Sequence, residues 1–215
     1  MIELLDLGLK SYEETWQLQK ELVERRANDE IPDTLILVEH NPVFTLGRNK
    51  DWKNLLFTPE VLRDKGFALY KVERGGDITY HGPGQLVGYP IFKISSALAG
   101  VKKFVFTLEG TLIRVLKDYH IDAFRHEKYT GVFTESGKIV SIGVAFKKWV
   151  SFHGFALNVN NDLLPFQYII PCGLSDIPMT SMKLLLGMDV DFCVLKRKVF
   201  EKIRETFGDS LEKNL

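Results

Sequence analysis

The interpretation of this sequence depends on one stretch, Arg74-Gly75-Gly76-Asp77-Ile78-Thr79-Tyr80-His81-Gly82-Pro83-Gly84-Gln85. It places four glycines and a proline between two β-rich runs, residues 68–73 and 85–94. Glycines at this density let the backbone turn sharply and lie close to a ligand, with N–H groups free to donate. The Walker phosphate loop needs Gly-Lys-Ser/Thr and a following helix, and neither is present. From these residues alone, a glycine-rich hairpin loop without a ligand is an equal alternative.

Before this stretch, the sequence alternates strand and helix patterns. The apolar run Ile2 to Leu7 predicts a strand, and Ser11 with Glu14 forms a capping box that predicts the start of a helix. Residues 34–39 are β-rich, and the cap and proline at residues 58–60 predict a short helix that ends at Gly66.

After it, apolar residues recur at helical spacing from Phe104 to Tyr119. Residues 130–134 and 138–146 flank a Ser-Gly turn and predict a hairpin, beside which residues 151–159 pair. A last helix is predicted from residue 191 to its end at Gly208. The whole pattern predicts one α+β domain over residues 1–215, in which helices cover a mostly antiparallel sheet.

The composition excludes several classes of protein. With 45% hydrophobic and 26% charged residues, the 215-residue chain is not disordered, and 28 basic against 28 acidic residues argue against bulk binding to nucleic acid or an anionic membrane. Two cysteines are too few for a disulfide framework and favour a reducing compartment. No apolar run reaches the ~20 residues of a membrane span, and the first residues lack a signal-peptide pattern. We expect a cytoplasmic protein.

Two side chains are candidates for nucleophilic chemistry. Cys172 lies between Pro171 and Gly173, which predicts an accessible loop, although a small buried thiol is the alternative. Lys138 follows a tight turn, where a lysine is usually a solvated strand end; beside a thiol it would act as a base. Cys193 has a helical pattern around it and is expected to be buried and inert.

The histidines give a weaker signal. His81 and His153 fall in glycine-flanked segments that predict loops, and with Cys172 they could bind zinc. Structural zinc sites use paired ligands at short spacing, which this sequence lacks, so we expect no metal. His40, His120 and His126 are expected at the surface or in turns.

Four ordered blocks of this sequence resemble the lipoyl(octanoyl) transferases of lipoate biosynthesis. The blocks are residues 74–85, 137–143 (Gly-Lys-Ile-Val-Ser-Ile-Gly), 151–158 (Ser-Phe-His-Gly-Phe-Ala-Leu-Asn) and 171–173 (Pro-Cys-Gly). The resemblance covers nearly the whole chain. It implies the fold of biotin and lipoate protein ligases, a mixed, mostly antiparallel sheet flanked by helices.

The resemblance also implies roles. Cys172 is the acyl-accepting nucleophile, Lys138 its activating partner, and His153 a possible support; no cofactor or metal is needed. The substrate-binding residues it implies are Arg74, Gly75, Gly76, Asp77, Ile78, Thr79, Tyr80, His81, Ser141, Ile142, Gly143, Gly154, Phe155 and Ala156. The donor is octanoyl-acyl-carrier protein, and the acceptor is a lysine of the lipoyl domains of 2-oxoacid dehydrogenase E2 subunits or of the glycine-cleavage H protein. A monomer that binds neither nucleic acid nor membrane is expected.

Three other functions are compatible with parts of the sequence. An ATP-dependent lipoate ligase of the same fold needs no cysteine, so the Pro-Cys-Gly block argues against it. A non-catalytic module that binds lipoyl domains would not need both Cys172 and Lys138. A Cys–His hydrolase lacks a local third residue that orients the histidine.

Overall fold

The computed structural model describes residues 1–94, 100–170 and 177–212, with side chains as far as Gly208. The strands are β1 (Ile2–Lys10), β2 (Asp33–His40), β3 (Val43–Leu46), β4 (Ala68–Lys71), β5 (Thr79–His81), β6 (Gln85–Ile91), β7 (Phe124–Arg125), β8 (Val132–Thr134), β9 (Gly137–Lys147) and β10 (Val150–Asn158). The helices are α1 (Tyr12–Ala27), α2 (Pro59–Asp64), α3 (Val101–Lys117), α4 (Met182–Leu186) and α5 (Phe192–Glu212), with 3-10 turns at Trp52–Asn54 and Leu164–Tyr168.

Seven strands form the main sheet in the order β1-β2-β6-β10-β9-β8-β7. Neighbouring strands run antiparallel except β1 and β2, which are parallel. A second sheet has the order β4-β3-β5, with β3 parallel to β4 and antiparallel to β5. The α+β class with a mixed, mostly antiparallel sheet is therefore confirmed.

Helices cover both faces of the main sheet because the central strands are apolar on both sides. In β2, Leu35 and Leu37 face the cluster that includes Leu108 of α3 and Leu195 of α5. The alternate β2 residues face α1, where Ile36 and Val38 join a second cluster with Leu22 and Val23. Alternation along one buried strand thus sets the three-layer arrangement.

Local signals located most element boundaries. Ser11 caps α1 by accepting from the Glu14 N–H at 3.2 Å, and Thr58 caps α2 by accepting from Val61 at 3.4 Å. The predicted end of the last helix at Gly208 is wrong, since α5 continues to Glu212. Gly208 does not adopt positive φ, and a glycine inside a helix costs only about 1 kcal/mol relative to alanine.

The β8–β9 hairpin contains a bulge. Phe133 of β8 pairs with Lys138 of β9. Val132, one residue further from the turn, pairs with Val140, so Ile139 is an extra residue of β9. Both Ile139 and Val140 are buried. A bulge turns the side chains beside it away from regular alternation, and here it follows directly after Lys138.

Candidate active site

One cavity lies where α1, the glycine-rich stretch and strands β6, β9 and β10 meet. Its walls enclose about 430 Å³ of empty space, part of it open to solvent. The lining residues are Tyr12, Arg74, Gly76, Thr79, His81, Val87, Tyr89, Ser141, Ile142, Gly143, His153, Gly154, Phe155 and Ala156. Ligand pockets in proteins commonly combine apolar walls with a few polar groups in this way.

The predicted substrate-binding residues, together with His153, divide into two groups. Four of the glycine-rich stretch (Arg74, Gly76, Thr79, His81), all six from β9 and β10, and His153 line the cavity. The remaining four, Gly75, Asp77, Ile78 and Tyr80, do not. Whether the first group binds substrate stays a prediction.

The second group has structural contacts of its own. Ile78 and Tyr80 pack on Phe44 in a separate apolar cluster. The carboxylate of Asp77 accepts from the Ile78 N–H at 2.7 Å and from the Asn54 amide at 2.7 Å. These residues support the glycine-rich stretch through contacts outside the cavity and do not line the cavity.

Arg74 holds the glycine-rich stretch in its conformation. Its guanidinium donates to the Thr45 carbonyl at 2.6 Å, to the Thr45 hydroxyl at 2.8 Å and to the Asp77 carbonyl at 2.8 Å. The side chain is buried, so a cation lies within the wall of the cavity. A buried cation favours a ligand that carries or develops negative charge.

A band of glycines crosses the sheet beneath the cavity. Gly143 of β9 pairs with Gly154 of β10, and Gly88 of β6 lies next to them, paired with Phe155. A Cβ on Gly154 would lie 2.1 Å from the Gly88 carbonyl oxygen, and one on Gly143 would lie 2.8 Å from the Gly75 carbonyl oxygen. Side chains here would collide with neighbouring backbone, so only glycine leaves this floor open.

His81 lies in strand β5 rather than in the predicted loop, and its proton can be located from its partners. Gln85 donates its amide to the Tyr80 carbonyl and to Asn158, which leaves its oxygen to accept from Nδ1–H of His81 at 2.8 Å. Nε2 is then the ring acceptor, 3.4 Å from the Thr45 hydroxyl. Burial lowers the pKa of His81 to about 3. A neutral ring of such low basicity is a poor general base.

His153 also belongs to a strand, β10, where it adopts an unusual backbone conformation. Its φ is +54°, a region that costs energy for a residue with a side chain. Its Nε2 lies 3.3 Å from the Glu73 carboxylate. Burial lowers the pKa of His153, although Glu73 opposes that change. The hydrogen bond from His153 lowers the pKa of Glu73 to about 2.

The Thr79 hydroxyl and Nδ1 of His153 are polar atoms of the cavity wall that are buried and have no hydrogen-bond partner among the described residues. Leaving such groups unsatisfied costs free energy, and both residues line the cavity. The two atoms are therefore placed to bind the polar part of a ligand.

Lys138 is only 2% exposed. Its ammonium lies 5.5 Å from the Phe133 ring centroid, within the range of a cation–π contact. Its backbone donates to the Pro178 carbonyl at 2.8 Å and accepts from the Thr180 N–H at 3.0 Å. The alternative of a solvated strand end is excluded, because the hairpin and residues 178–180 enclose this lysine.

Cys172 lies outside the described residues, but the chain on both sides of it is anchored. Ile170, two residues before it, donates to the Asn54 carbonyl at 2.8 Å. Pro178, six residues after it, pairs with Lys138 as described above. Of the described residues that flank Cys172, Ile170 is thus held by Asn54, which contacts Asp77 of the glycine-rich stretch, and Pro178 is held by Lys138.

Sequence reasoning missed three residues that line the cavity: Tyr12, Val87 and Tyr89. Tyr12 is the first residue of α1, and its ring stacks on His81 with centroids 6.0 Å apart. Its position in a helical apolar pattern looks like an ordinary core position. Val87 and Tyr89 alternate along β6, so the strand period gave a signal that they share one face.

Two expectations outside the cavity are wrong. His40 is fully buried in β2, where Nδ1 lies 3.0 Å from the Lys10 carbonyl and Nε2 2.8 Å from the Tyr89 hydroxyl. Cys193 is exposed, in the first turn of α5. Both errors arose because short-range sequence pattern does not report which face of an element meets the core.

The described residues contain neither a cluster of metal ligands nor a helix that could cross a membrane. Within residues 1–94, 100–170 and 177–212, no three His, Cys, Asp or Glu side chains cluster as metal ligands. In the same ranges, no helix has the length and apolar character needed to cross a membrane.

Comparison with known proteins assigns the chain to a family. The lipoyl protein ligase A/B catalytic domain matches residues 11–204. The chain belongs to this family. It is 53% identical to an octanoyltransferase of Dictyoglomus thermophilum, over 92% of this chain and 83% of the relative, and 48% identical to one of Caldicellulosiruptor saccharolyticus, over 94% and 87%.

The fold agrees with this assignment. A bi-partite lipoate protein ligase from Thermoplasma acidophilum, solved as part of an archaeal lipoylation system with its E2 lipoyl domain, superposes with a TM-score of 0.74 at 16% identity, covering 96% of this chain and 83% of that one. The expected lipoate and biotin protein ligase fold is therefore confirmed. The chain is an enzyme, an acyltransferase of protein lipoylation, which excludes the non-catalytic binding module.

Proposed function

We propose that this acyltransferase moves an octanoyl group from acyl-carrier protein to a lysine of a lipoyl domain, through a thioester on Cys172. The observation that carries the proposal is the buried Lys138, whose backbone is paired with the chain that leaves the Cys172 segment. The names of the octanoyltransferase relatives support the acyl group, and the E2 lipoyl domain of the archaeal system supports the acceptor. We further propose that it acts as a cytoplasmic monomer without a cofactor.

The proposed reaction has two acyl transfers. In the first, the Cys172 sulfur attacks the donor thioester carbon, the bond to the carrier sulfur breaks, and the carrier leaves as a thiol that has taken up the proton. In the second, the acceptor amine attacks the Cys172 thioester, forms an amide and releases the cysteine. Exchange of one thioester for another is nearly isoenergetic and amide formation is downhill, so ATP is not required.

Lys138 is proposed to accept the proton in each step. A free thiol is only a few per cent ionised at neutral pH, so attack needs a neighbouring base or cation. The histidines serve this role poorly: burial leaves His81 with a pKa of about 3 and also lowers the pKa of His153. Lys138 is the buried amine whose strand borders the end of the Cys172 segment.

The cavity is proposed to hold the acyl chain and its thioester. Val87, Ile142 and Phe155 offer apolar wall, and burial of each methylene contributes roughly 0.8 kcal/mol. The unpartnered hydroxyl of Thr79 and Nδ1 of His153 are proposed to meet the polar thioester end. Arg74 supplies positive charge for the oxyanion that forms during attack.

Intact-mass analysis tests the proposal. The protein is incubated with octanoyl-acyl-carrier protein, without nucleotide and without acceptor. We expect the mass of one octanoyl group, removed by hydroxylamine, and none that turns over in Cys172→Ser. Label on Cys193 would contradict the assignment, and Cys193→Ser, at an exposed helix position, is the matched control that should label normally. A strict requirement for ATP and free octanoate would instead support the ligase alternative.

Alkylation of Cys172 tests the role of Lys138. The rate with a small electrophile is measured against pH in wild type and in Lys138→Met, which keeps the volume and removes the amine. We expect alkylation of the variant to need a higher pH, because reactivity follows the thiolate fraction. Superimposed curves would show that Lys138 does not activate the thiol.

A further inference from the structure

A buried carboxylate approaches the Lys138 region from helix α3. Glu109 is only 7% exposed, and its Oε1 accepts from the Gly131 N–H at 2.8 Å. Burial raises the pKa of Glu109, whereas the Gly131 N–H, Arg125 and Lys138 each oppose that change. Buried carboxylates are rare unless paired, and neither the glycine-rich stretch nor the cavity accounts for this one.

Arg125 of β7 is the ion partner of Glu109, with Nε 3.4 Å from Oε2. Its guanidinium lies 3.8 Å over the Phe106 ring and donates to the Phe106 carbonyl at 2.9 Å. A Cβ on Gly110 would lie 2.4 Å from the guanidinium. Gly110 therefore lets the Arg125 guanidinium approach α3 this closely.

Gly131 connects this ion pair to Lys138. Its φ is +128°, and a Cβ there would lie 2.7 Å from Cε and 3.3 Å from Nζ of Lys138. The Gly131 backbone therefore forms the wall against which the end of the lysine side chain packs. Glu109 fixes that wall through the Gly131 N–H.

We propose that Glu109 is a positioning residue for Lys138, which holds the Gly131 wall and places a negative charge, balanced by Arg125, beside the reacting lysine. The inference rests on the proposed function, because it requires that Lys138 exchange protons during acyl transfer. Among the described residues, the charged groups around Glu109 are Arg125 from β7 and Lys138 from β9. The adjoining groove adds four more: Lys102, His126, Glu127 and Lys128.

The charge has a predictable sign. A carboxylate disfavours loss of a proton from neighbouring groups, and a cation favours it. Glu109→Gln removes the charge but keeps an oxygen that accepts from Gly131, so transfer should persist to lower pH. Arg125→Gln leaves the carboxylate uncompensated, so transfer should require higher pH. The direction is the same whether the limiting proton belongs to the lysine or to the thiol.

The test is the pH profile of kcat/KM for acyl transfer by the full chain. We expect its acidic limb to move down by about one pH unit in Glu109→Gln and up in Arg125→Gln, the size typical of a neighbouring charge. Glu127→Gln, the same charge change at an exposed position of the same groove, should leave the limb in place.

A purely structural role predicts a different result. Glu109→Gln and Arg125→Gln would then lose thermal stability or rate, and the acidic limb of the pH profile would not move. That outcome overturns the proposal, and so does a shift of the limb in the same direction in both variants. If Glu109→Gln does not fold, Arg125→Gln decides alone. Absence of transfer and of Cys172 acylation in wild type would contradict the proposed function itself, which is a different observation from an unmoved limb.

Discussion

At the scale of one residue, a substitution of Thr79 can separate an effect on substrate binding from an effect on protein stability. The buried hydroxyl of Thr79 has no partner within the described part of the chain. Thr79→Val therefore breaks no hydrogen bond among the described residues, and we expect unchanged or slightly higher stability, by up to about 1 kcal/mol. If the hydroxyl binds the acyl thioester, kcat/KM should fall roughly three- to tenfold. Urea unfolding and steady-state kinetics measure the two effects.

Tyr119→Phe is the matched control for Thr79→Val. The Tyr119 hydroxyl is also buried without a partner among the described residues, but it lies just after α3, outside the cavity. Its removal should resemble Thr79→Val in stability and leave kcat/KM unchanged. Equal kinetic losses in both variants would show that the Thr79 effect is not due to substrate binding.

Residue chemistry was predictable from sequence where it depended on neighbours in the chain, and unpredictable where it depended on distant ones. The glycine-rich stretch was singled out by composition alone. His40 was misplaced because its partners, Lys10 and Tyr89, are 30 and 49 residues away. Cys193 was misplaced because helical periodicity does not state which face is buried. Cys172 remains a prediction, since it lies outside the described residues.

At the scale of elements, the first turn of α1 joins stability to binding. Ser11→Ala and Thr58→Ala each remove an N-cap, so both should lose about 1 kcal/mol. Tyr12, next to Ser11, lines the cavity, whereas α2 contributes no lining residue. Only Ser11→Ala should raise KM for the acyl donor, by roughly two- to threefold. The first turn of α1 is then formed in a smaller fraction of molecules, and the apparent affinity decreases in proportion. A similar KM change in Thr58→Ala would contradict this.

The elements themselves were mostly legible from the sequence. Caps and the β8–β9 turn depend on local hydrogen bonds, so Ser11, Thr58 and Gly137 marked boundaries correctly. The bulge at Ile139 was not predictable, because it is defined by pairing with β8 across the hairpin. The predicted end of α5 at Gly208 was wrong because a glycine weakens a helix without ending it.

For the whole molecule, three buried histidines make stability depend on pH. Burial lowers the pKa of His40 to about 4 and of His81 to about 3, and it lowers that of His153. The unfolded chain binds these protons near pH 6.5 and the folded chain does not. The free energy of unfolding is therefore highest above pH 6.5. It decreases as the pH falls toward 4, by up to ~1.4 kcal/mol per pH unit for each histidine.

Urea unfolding at pH 7, 6 and 5 measures this loss. Asp33 and Glu109 oppose it at the acidic end, because burial raises the pKa of each. His40→Gln should flatten the slope, whereas His120→Asn, at an exposed position with φ of +57° that asparagine tolerates, should not. Equal slopes in wild type and His40→Gln would refute the explanation.

The strand order of the sheet could not be derived from the sequence. Antiparallel neighbours such as β9 and β10 follow from short turns, but β2 pairs with β6 across about fifty residues. The resemblance implied a mixed sheet flanked by helices but not this pairing. The cavity depends on it, since Val87 and Tyr89 reach the site through β6.

The glycine band beneath the cavity has a consequence for local opening of the sheet. Gly88, Gly143 and Gly154 offer no side chains for cross-strand contacts, which normally stabilise neighbouring strands. Amide protons along the band are therefore expected to exchange with deuterium faster than those of flanking residues on the same strands. If the acyl chain lies in the cavity as proposed, it would cover Gly143 and Gly154 and supply the missing contacts there. Exchange at these residues should then slow when the donor is present, and the substrate would complete the packing of the sheet on which it lies.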